Sequence, residues 1–388
     1  MSAAAVRNRV LVLGSGITLL GVLRALSGVD ADVFALPDTQ DSPRRSRWFR
    51  SAPAHLAGIK PSGLQEALEK LPSPTVLMPA SDAWVKAVSG LPAAVLKRYP
   101  ASVAPVNAVD VLIDKNRFRD TLSKLRLPHP KTQILTSIAD LPPESSLRAS
   151  FLKPAGSQEF FARFGVKAFR VADRAEAEAR LALCIESGFE MMLQEYIPGP
   201  PTNHYFLDGF VDGSGVVRAR FARRRLRMSP PDFGNSTLME SIPVSQTGTA
   251  ASTLDTLFAA LRYRGIFSAE FKRDERDGEF NLIEVNARPW WYVEFAARCG
   301  VNVCDMAVQD ALGQPVETVS RYAVGRRCVF PSYDLDAVRA EIAAGRLSRV
   351  TAARSWLGAY QPIFRWSDPL PAIGDFAKMV RRRLIKRA

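Results

Sequence analysis

Residues 266–288 read IFSAEFKRDERDGEFNLIEVNAR, and few local structures suit them. Alternate apolar residues on either side of a polar, glycine-containing stretch are the pattern of a β-hairpin. Two turns compete. A two-residue Asp277-Gly278 turn puts Glu270 opposite Val285 and sets charge against apolar surface. A three-residue turn over 276–278, with Gly278 in the left-handed region, puts Glu270 opposite Glu284 and Ser268 opposite Asn286. This second register gathers Phe267, Ala269, Phe271, Ile283 and Val285 on one face and both carboxylates with Asn286 on the other. It is the register expected, because a slip of one residue would mix the faces. Facing carboxylates repel. A hard cation between them relieves the repulsion, and Mg²⁺ bound by carboxylates and phosphate oxygens is the usual case. The plain alternative is an exposed hairpin with solvated charges.

A chain of 388 residues can bury the cores of two or three domains. Apolar residues at 47% and charged residues at 23% suit a soluble globular protein. The apolar run 10–23 is broken by Gly14, Gly16 and Gly21 and followed by Arg24, so it is too short to span a bilayer. No secretory signal is seen. Cys184, Cys299, Cys304 and Cys328 have neither metal-site spacing nor the density of a disulfide framework. His55, His129 and His204 are too scattered for a zinc site. Together these features point to the cytoplasm. The net charge is +13, with one basic cluster over 218–227 and another over 376–388, where six Lys/Arg stand with no acid. Nucleotide phosphates, acidic substrates or a lipid surface are the anionic partners such a balance favours. Specific nucleic-acid binding is not expected, since aromatic residues do not interleave with the basic ones and no recognition-helix or zinc-finger pattern is present.

Along the chain, RVLVL at 9–13, then Gly14-Ser15-Gly16, then an apolar helix over 18–26, read as a buried parallel strand, a glycine turn and a helix. A dinucleotide fingerprint would need glycine at 19, which is Leu19, and the next strand, 32–36, ends without a ribose-binding acid. A Rossmann-like domain that binds no dinucleotide is therefore expected. Its third strand, 75–78, ends at Pro79-Ala80-Ser81-Asp82. Ligands of open parallel sheets collect at the carboxyl ends of strands, which selects Ser15, Gly16, Ser81 and Asp82. Ser81 or Asp82 also suits the N-cap of a following helix.

Further on, Lys115 follows Asp114 at the start of a helix over 116–124, and Lys153 ends a strand over 151–154. A helix over 174–187, with Ala177, Leu181 and Ile185 at spacing four, is capped by Asp173 and ended by Gly188. A strand over 191–194 enters Glu195-Tyr196-Ile197-Pro198-Gly199, and His204 opens the next strand. A hairpin turns at 212–215, after which alternation puts Arg223, Arg225 and Arg227 on one face and Arg224 on the other. Pro289-Trp290-Trp291-Tyr292 suits either a substrate pocket or packing between domains.

Glu270 followed by Glu284-Val-Asn286-Ala-Arg288 resembles the metal-binding end of ATP-grasp enzymes, and Lys115, Lys153 and Glu195-Tyr196-Ile197 stand in that family's order. The resemblance implies an α/β chain: a Rossmann-like domain over 1–106, an ATP-grasp domain over 107–315 with its lid over 126–194, and an extension over 316–388. It implies that Glu270, Glu284 and Asn286 hold Mg²⁺ (or Mn²⁺), that Lys115 and Lys153 contact the phosphates of ATP, and that Arg288 faces the transferred phosphoryl group. Gln194, Glu195, Tyr196 and Ile197 would border the adenine, with His204 beside the nucleotide. Ser15, Gly16, Ser81, Asp82 and Arg224 would meet the substrate. The segment after Lys153, 155–167, departs from the family's glycine-rich lid loop, and Arg163 or Lys167 would replace backbone contacts there.

The activity implied is that of the carboxylate–amine ligases related to biotin carboxylase and carbamoyl-phosphate synthetase. A small-molecule carboxylate becomes an acylphosphate and an amine displaces phosphate. A nucleotide sensor without turnover and a basic nucleic-acid-binding protein are the alternatives; a homodimer is left open. Finally, Phe376, Met379, Val380 and Leu384 share a helical face among six basic residues, a pattern that suits either a solvated terminus or a tail that rests reversibly on the anionic inner face of a membrane.

Overall fold

The apolar run after Arg9 becomes the middle strand of a parallel layer. This computed structural model describes residues 7–40, 42–230 and 233–376. Strands β1 (Asn8–Leu13), β2 (Ala31–Ala35) and β3 (Val76–Pro79) pair in parallel in the order β2-β1-β3. Gly14 follows β1 because a Cβ there would come within 2.9 Å of the Ala80 Cβ, where the ends of β1 and β3 converge. The chain then turns at Gly16 (φ +62°) into the helix Gly16–Ala25. Ser81 caps the helix Asp82–Ser89 by accepting from the Trp84 amide.

A second, antiparallel sheet holds β4 (Thr132–Leu135), β5 (Ser150–Pro154), β6 (Phe169–Arg170) and β7 (Met191–Glu195) in the order β4-β7-β5-β6. The helix Arg174–Glu186 buries Ala177, Leu181 and Cys184. Ile185, expected on that face, is 36% exposed, because Cys184 lies closer to the centre of the buried stripe. The segment after Lys153 is not a loop. It forms the helix Ser157–Phe164, ended by Gly165 at φ +69°. Phe160 and Phe164, one helical turn apart, pack with Phe169 and Phe189, and this aromatic cluster supplies the burial that a glycine-rich loop would lack.

The largest sheet comprises β8 (His204–Val211), β9 (Val217–Ser229), β10 (Asn235–Ile242), β11 (Gly265–Arg273), β12 (Phe280–Asn286) and β13 (Arg327–Val329), in the order β12-β11-β8-β9-β10-β13. One face carries Tyr205, Leu207, Ala269, Phe271 and Val285 into a core with the helices Val106–Ile113, Lys115–Lys124 and Ala250–Leu261. On the other face Phe210, Phe221 and Met239 pack against the helices Val293–Arg298 and Val303–Ala311 and the parallel layer. The β12 end of that second face carries Glu270 and Glu284.

The chain after residue 316 adds β13 to the edge of this sheet, then the helices Pro331–Ala343 and Arg349–Trp356. Asp334, fully buried, accepts from Arg227 Nε (3.0 Å), Thr237 Oγ1 (2.6 Å) and Trp356 Nε1 (2.6 Å). The chain then returns to the helix Gly16–Ala25, where buried Arg24 donates to Asp368 (3.0 Å) and to the carbonyls of Pro362 (2.9 Å) and Ile363 (2.8 Å). The basic amphipathic tail expected over 376–388 lies, beyond Phe376, outside the described residues.

Candidate active site

The hairpin pairs Ser268 with Asn286 and Glu270 with Glu284. It reaches that register by another route than the turn expected. Asp274 donates its amide to the Glu279 carbonyl, so the loop is residues 275–278, one residue longer, with Gly278 at φ +80°. The ladder slips between Glu270–Glu284 and Phe271–Leu282, leaving Ile283 as a bulge that restores the register. Leu282, 1% exposed, therefore takes the core place expected for Ile283.

Each carboxylate has its own environment. Glu270 Oε1 accepts from His204 Nδ1 (2.7 Å) and Arg225 Nη2 (3.0 Å). Burial alone would raise Glu270, but Arg225 and the His204 hydrogen bond outweigh it and hold this carboxyl well below the usual carboxylate range. His204 is lowered to about 4, by burial first and by Arg225 second, so its ring is neutral at pH 7. A carboxylate can only accept, so the His204 proton sits on Nδ1. Glu284 opens onto the cleft, yet desolvation by the surrounding walls, and then the Glu270 charge, push it upward. Asn286 Nδ2 donates to Glu284 Oε1 (3.1 Å), and its Oδ1 accepts from Arg288 Nη2 (2.9 Å).

Cations ring the pair. Lys115, at the start of its helix, donates to the Pro154 carbonyl (2.9 Å). Its pKa falls to about 8, through burial and then the charge of Lys153. Lys153 on β5 donates to Gln194 Oε1 (3.1 Å); burial lowers it, while Glu284 and Glu270 oppose the shift. Lys167 donates to Asn235 Oδ1 (2.7 Å) and is likewise lowered by burial against the pull of Glu284. Arg288 is held from across the molecule by Asp82, at 2.6 Å (Nε) and 3.1 Å (Nη2). Asp82, Arg288, Asn286 and Glu284 thus form one hydrogen-bonded chain from the parallel layer to the hairpin.

Ser15 and Gly16 sit at the carboxyl end of β1, next to the β3 end that carries Ser81 and Asp82. At the hinge after β7, Gln194 donates to Thr132 Oγ1 (2.9 Å), and Glu195 accepts from Arg276 (2.6 Å). The Tyr196 ring lies under the Arg170 guanidinium (3.7 Å) and Lys272 Nζ (4.6 Å). Backbone amides of Glu195 and Tyr196 are spent on the carbonyls of Lys131 and Ala149. A groove of about 990 Å³ runs along the outer side of this hinge, lined by Arg119, His129, Lys131, Glu195 and Arg276 among others. Neither Lys153 nor either paired carboxylate borders it.

Arg224 does not reach the site. It stands opposite Tyr205 and Glu240 on the helix-covered face of the sheet, 3.7 Å from the Glu240 carboxylate. Arg225 takes the place expected for it, and Arg223 beside it is buried with Asp208 and Ser268. Alternation separated these arginines correctly. Which face meets the cleft depends on β8 and β11, to which the arginine run itself gives no clue. Trp290 and Tyr292 are 5% and 6% exposed and pack around Arg223, so they serve packing between the layers.

No family model matches the chain. It is 28% identical over 209 residues to D-aspartate ligase of Enterococcus faecium (strain Aus0004), and the match covers 51% of this chain and 49% of that protein. The chain thus spans about half the length of the curated relative it matches. Among solved structures, L-amino acid ligase from Bacillus licheniformis superposes with a TM-score of 0.60 at 18% identity, over 83% of this chain and 79% of that one. N5-carboxyaminoimidazole synthetase from Staphylococcus aureus, complexed with ADP, gives 0.62 at 13% identity, over 87% and 86%. Biotin carboxylase from Campylobacter jejuni gives 0.59 at 14%, over 83% and 74%. The chain thus shares the fold of these ligases, and over about half its length it is similar in sequence to D-aspartate ligase.

Proposed function

We propose that the chain is an ATP-dependent ligase that activates a substrate carboxylate as an acylphosphate and joins it to an amine. The observation that carries this reading is the facing pair Glu270–Glu284 ringed by Lys115, Lys153, Arg225 and Arg288. Burial first and the Glu270 charge second push Glu284 upward, so a cation between the two carboxylates would be favoured. The oxygens fit Mg²⁺. Glu270 and Glu284 would hold the ion, and Asn286 would join them only with its amide reversed, since its Oδ1 now faces Arg288. A bound Mg²⁺ would supply neutralisation of phosphate charge.

The chain's own residues do the rest. The backbone amides of Glu195 and Tyr196 are used within the lid sheet, so of the three hinge residues Ile197 would be the one to offer its amide to an adenine edge. His204, neutral and fixed by Glu270, would flank the nucleotide through its other ring nitrogen. Lys115 and Lys153 would meet the phosphates as point charges. A carboxylate oxygen of the substrate attacks the γ-phosphorus, and the bond to the β-phosphate oxygen breaks to release ADP. The amine nitrogen then attacks the acyl carbon, phosphate leaves, and the amine proton passes to solvent. Positioning and fixed charge are what such a transfer needs from a protein. Arg288 supplies charge at the transferred group, and Asp82, which holds it, lies where Ser15, Gly16 and Ser81 face the substrate.

The parallel layer, a Rossmann-like domain over 1–106 in this reading, would present the substrate to the ATP-grasp domain over 107–315. The likeness to D-aspartate ligase makes aspartate and other amino acids the first carboxylates to try. No helix among the described residues is long and apolar enough to cross a membrane. One observation favours the second reading, a nucleotide sensor: the helix Ser157–Phe164 stands where a glycine-rich loop would close on phosphates. ADP release across a panel of carboxylates and amines separates the two. Turnover with any pair supports the ligase; ATP binding with no turnover on the whole panel supports the sensor.

A further inference from the structure

The chain from Arg365 to Phe376 buries one side and leaves the other bare. Asp368, 2% exposed, ties it down through Arg24, Ser46 Oγ (2.7 Å) and the Arg47 amide (2.9 Å). Residues 370–376 are helical, with Pro371 and Gly374 turned inward; Gly374 lies so close to Arg45 that a Cβ would come within 2.7 Å of its Cδ. The outward residues are apolar. Trp366 is 88% exposed, Leu370 and Ile373 57% each, and Phe376 63%. Beside them the 3₁₀ turn Ser42–Arg45 and the residues after it expose Arg44, Arg45 and Arg47, and Arg47 Nη1 reaches the Ser367 carbonyl (3.3 Å). Single exposed apolar residues are ordinary, but four within eleven residues on the outward side of one segment are the clustering that marks an interaction surface.

We propose that this face, Trp366, Leu370, Ile373 and Phe376 with Arg44, Arg45 and Arg47, docks on an anionic lipid surface. The chemistry selects the partner. A short apolar helix face with a tryptophan at its edge and arginines alongside matches the boundary between acyl chains and charged headgroups. Arginine stems reach along apolar surface while their heads stay at headgroup level. The sequence continues the same charge: residues 376–388 add six Lys/Arg and no acid. A protein partner would instead need a shaped acidic counter-surface, whereas lipid needs only an outward face with apolar and cationic groups together. The inference stands apart from the ligase reading, since the face shares no residue with the carboxylate pair.

The test is vesicle co-sedimentation of the full chain, with phosphatidylglycerol-containing against pure phosphatidylcholine vesicles, at low and high salt. Binding is expected to the anionic vesicles only and to fall steeply with salt. The double substitution Ile373→Glu/Phe376→Glu, and separately Arg44→Glu/Arg45→Glu, should each cut the bound fraction about tenfold or more. Both pairs are surface residues, and unchanged circular dichroism checks the fold. Tryptophan quenching by brominated lipid should be strong in the parent and largely lost in Trp366→Phe. Equal binding to neutral vesicles, or full binding by both double variants, would overturn the proposal, the second outcome assigning attachment to the tail alone. Self-association abolished by Ile373→Glu/Phe376→Glu, with no vesicle binding by the parent, would also overturn it and make the face a contact between copies.

Discussion

Lys115 is a cation held where a cation is costly. Burial and the neighbouring Lys153 lower it to about 8, so it is charged at pH 7 and loses its proton just above. An anion beside it favours the protonated form. ATP affinity should therefore hold up to neutral pH and weaken, by up to about tenfold, between roughly pH 7 and 9. Calorimetric titration of ATP across that range checks it, and Lys115→Arg should flatten the profile, since arginine stays protonated. A wild-type affinity independent of pH would separate Lys115 from the phosphates. Proximity of Lys115 to Lys153 is not readable from spacing, since 37 residues intervene and the two lie on different units, Lys115 on a helix packed against the six-stranded sheet and Lys153 on a strand of the four-stranded one; only the resemblance brings the two together. Arg225 is hidden from sequence reasoning for a related reason. Its partner Glu270 lies two strands away, and its role follows from pairing that its own stretch does not encode.

At the scale of single elements, hairpins and caps were legible and long-range pairing was not. Alternation and turn chemistry in 266–288 specify a hairpin whose faces must not mix, and the structure keeps the two glutamates opposite. The turn itself is one residue longer than its composition predicts. The Asp274 side chain stabilises the longer loop by accepting from the Arg276 amide (2.9 Å), and the Ile283 bulge absorbs the difference. Aromatic spacing in 157–164 carried a helix signal that the family's glycine-rich loop masked. The arginine strand β9 yields a stability prediction. Asp334 is buried and receives Arg227, Thr237 and Trp356 together. Removing it leaves the Arg227 charge without its carboxylate partner. Asp334→Ala should lower unfolding free energy by about 3–5 kcal/mol, read by urea denaturation. A change within the range of ordinary surface substitutions would show that β13 and the helix Pro331–Ala343 dock without this network.

For the molecule as a whole, the sequence divided into a parallel α/β layer, a glutamate hairpin and a basic tail, but the stitching between them was hidden. Arg24 sits in an apolar helix, where spacing gives no hint of its partners. They come from residues 294 and 362–368, remote in sequence. Arg24→Met would strand the Asp368 carboxylate and also loosen Glu294, with a loss of about 3–5 kcal/mol. It should expose the chain after Trp356 to limited proteolysis while the parent resists. Equal protease resistance would mean that the returning chain is held by packing alone. The same architecture brings Asp82 of the parallel layer onto Arg288 after the hairpin, so under the proposed reading a substrate held at the parallel layer would lie beside Arg288.

The central claim is that Glu270 and Glu284 together make an ATP-using centre. It is tested most directly by ADP release from the parent and from Glu284→Gln, with a carboxylate and amine pair that supports turnover and with Mg²⁺ present. The substitution keeps shape and removes one charge. The account predicts a folded variant, with thermal unfolding close to the parent, and ADP release lowered about a hundredfold or more. Unchanged ADP release from a folded Glu284→Gln protein would contradict it.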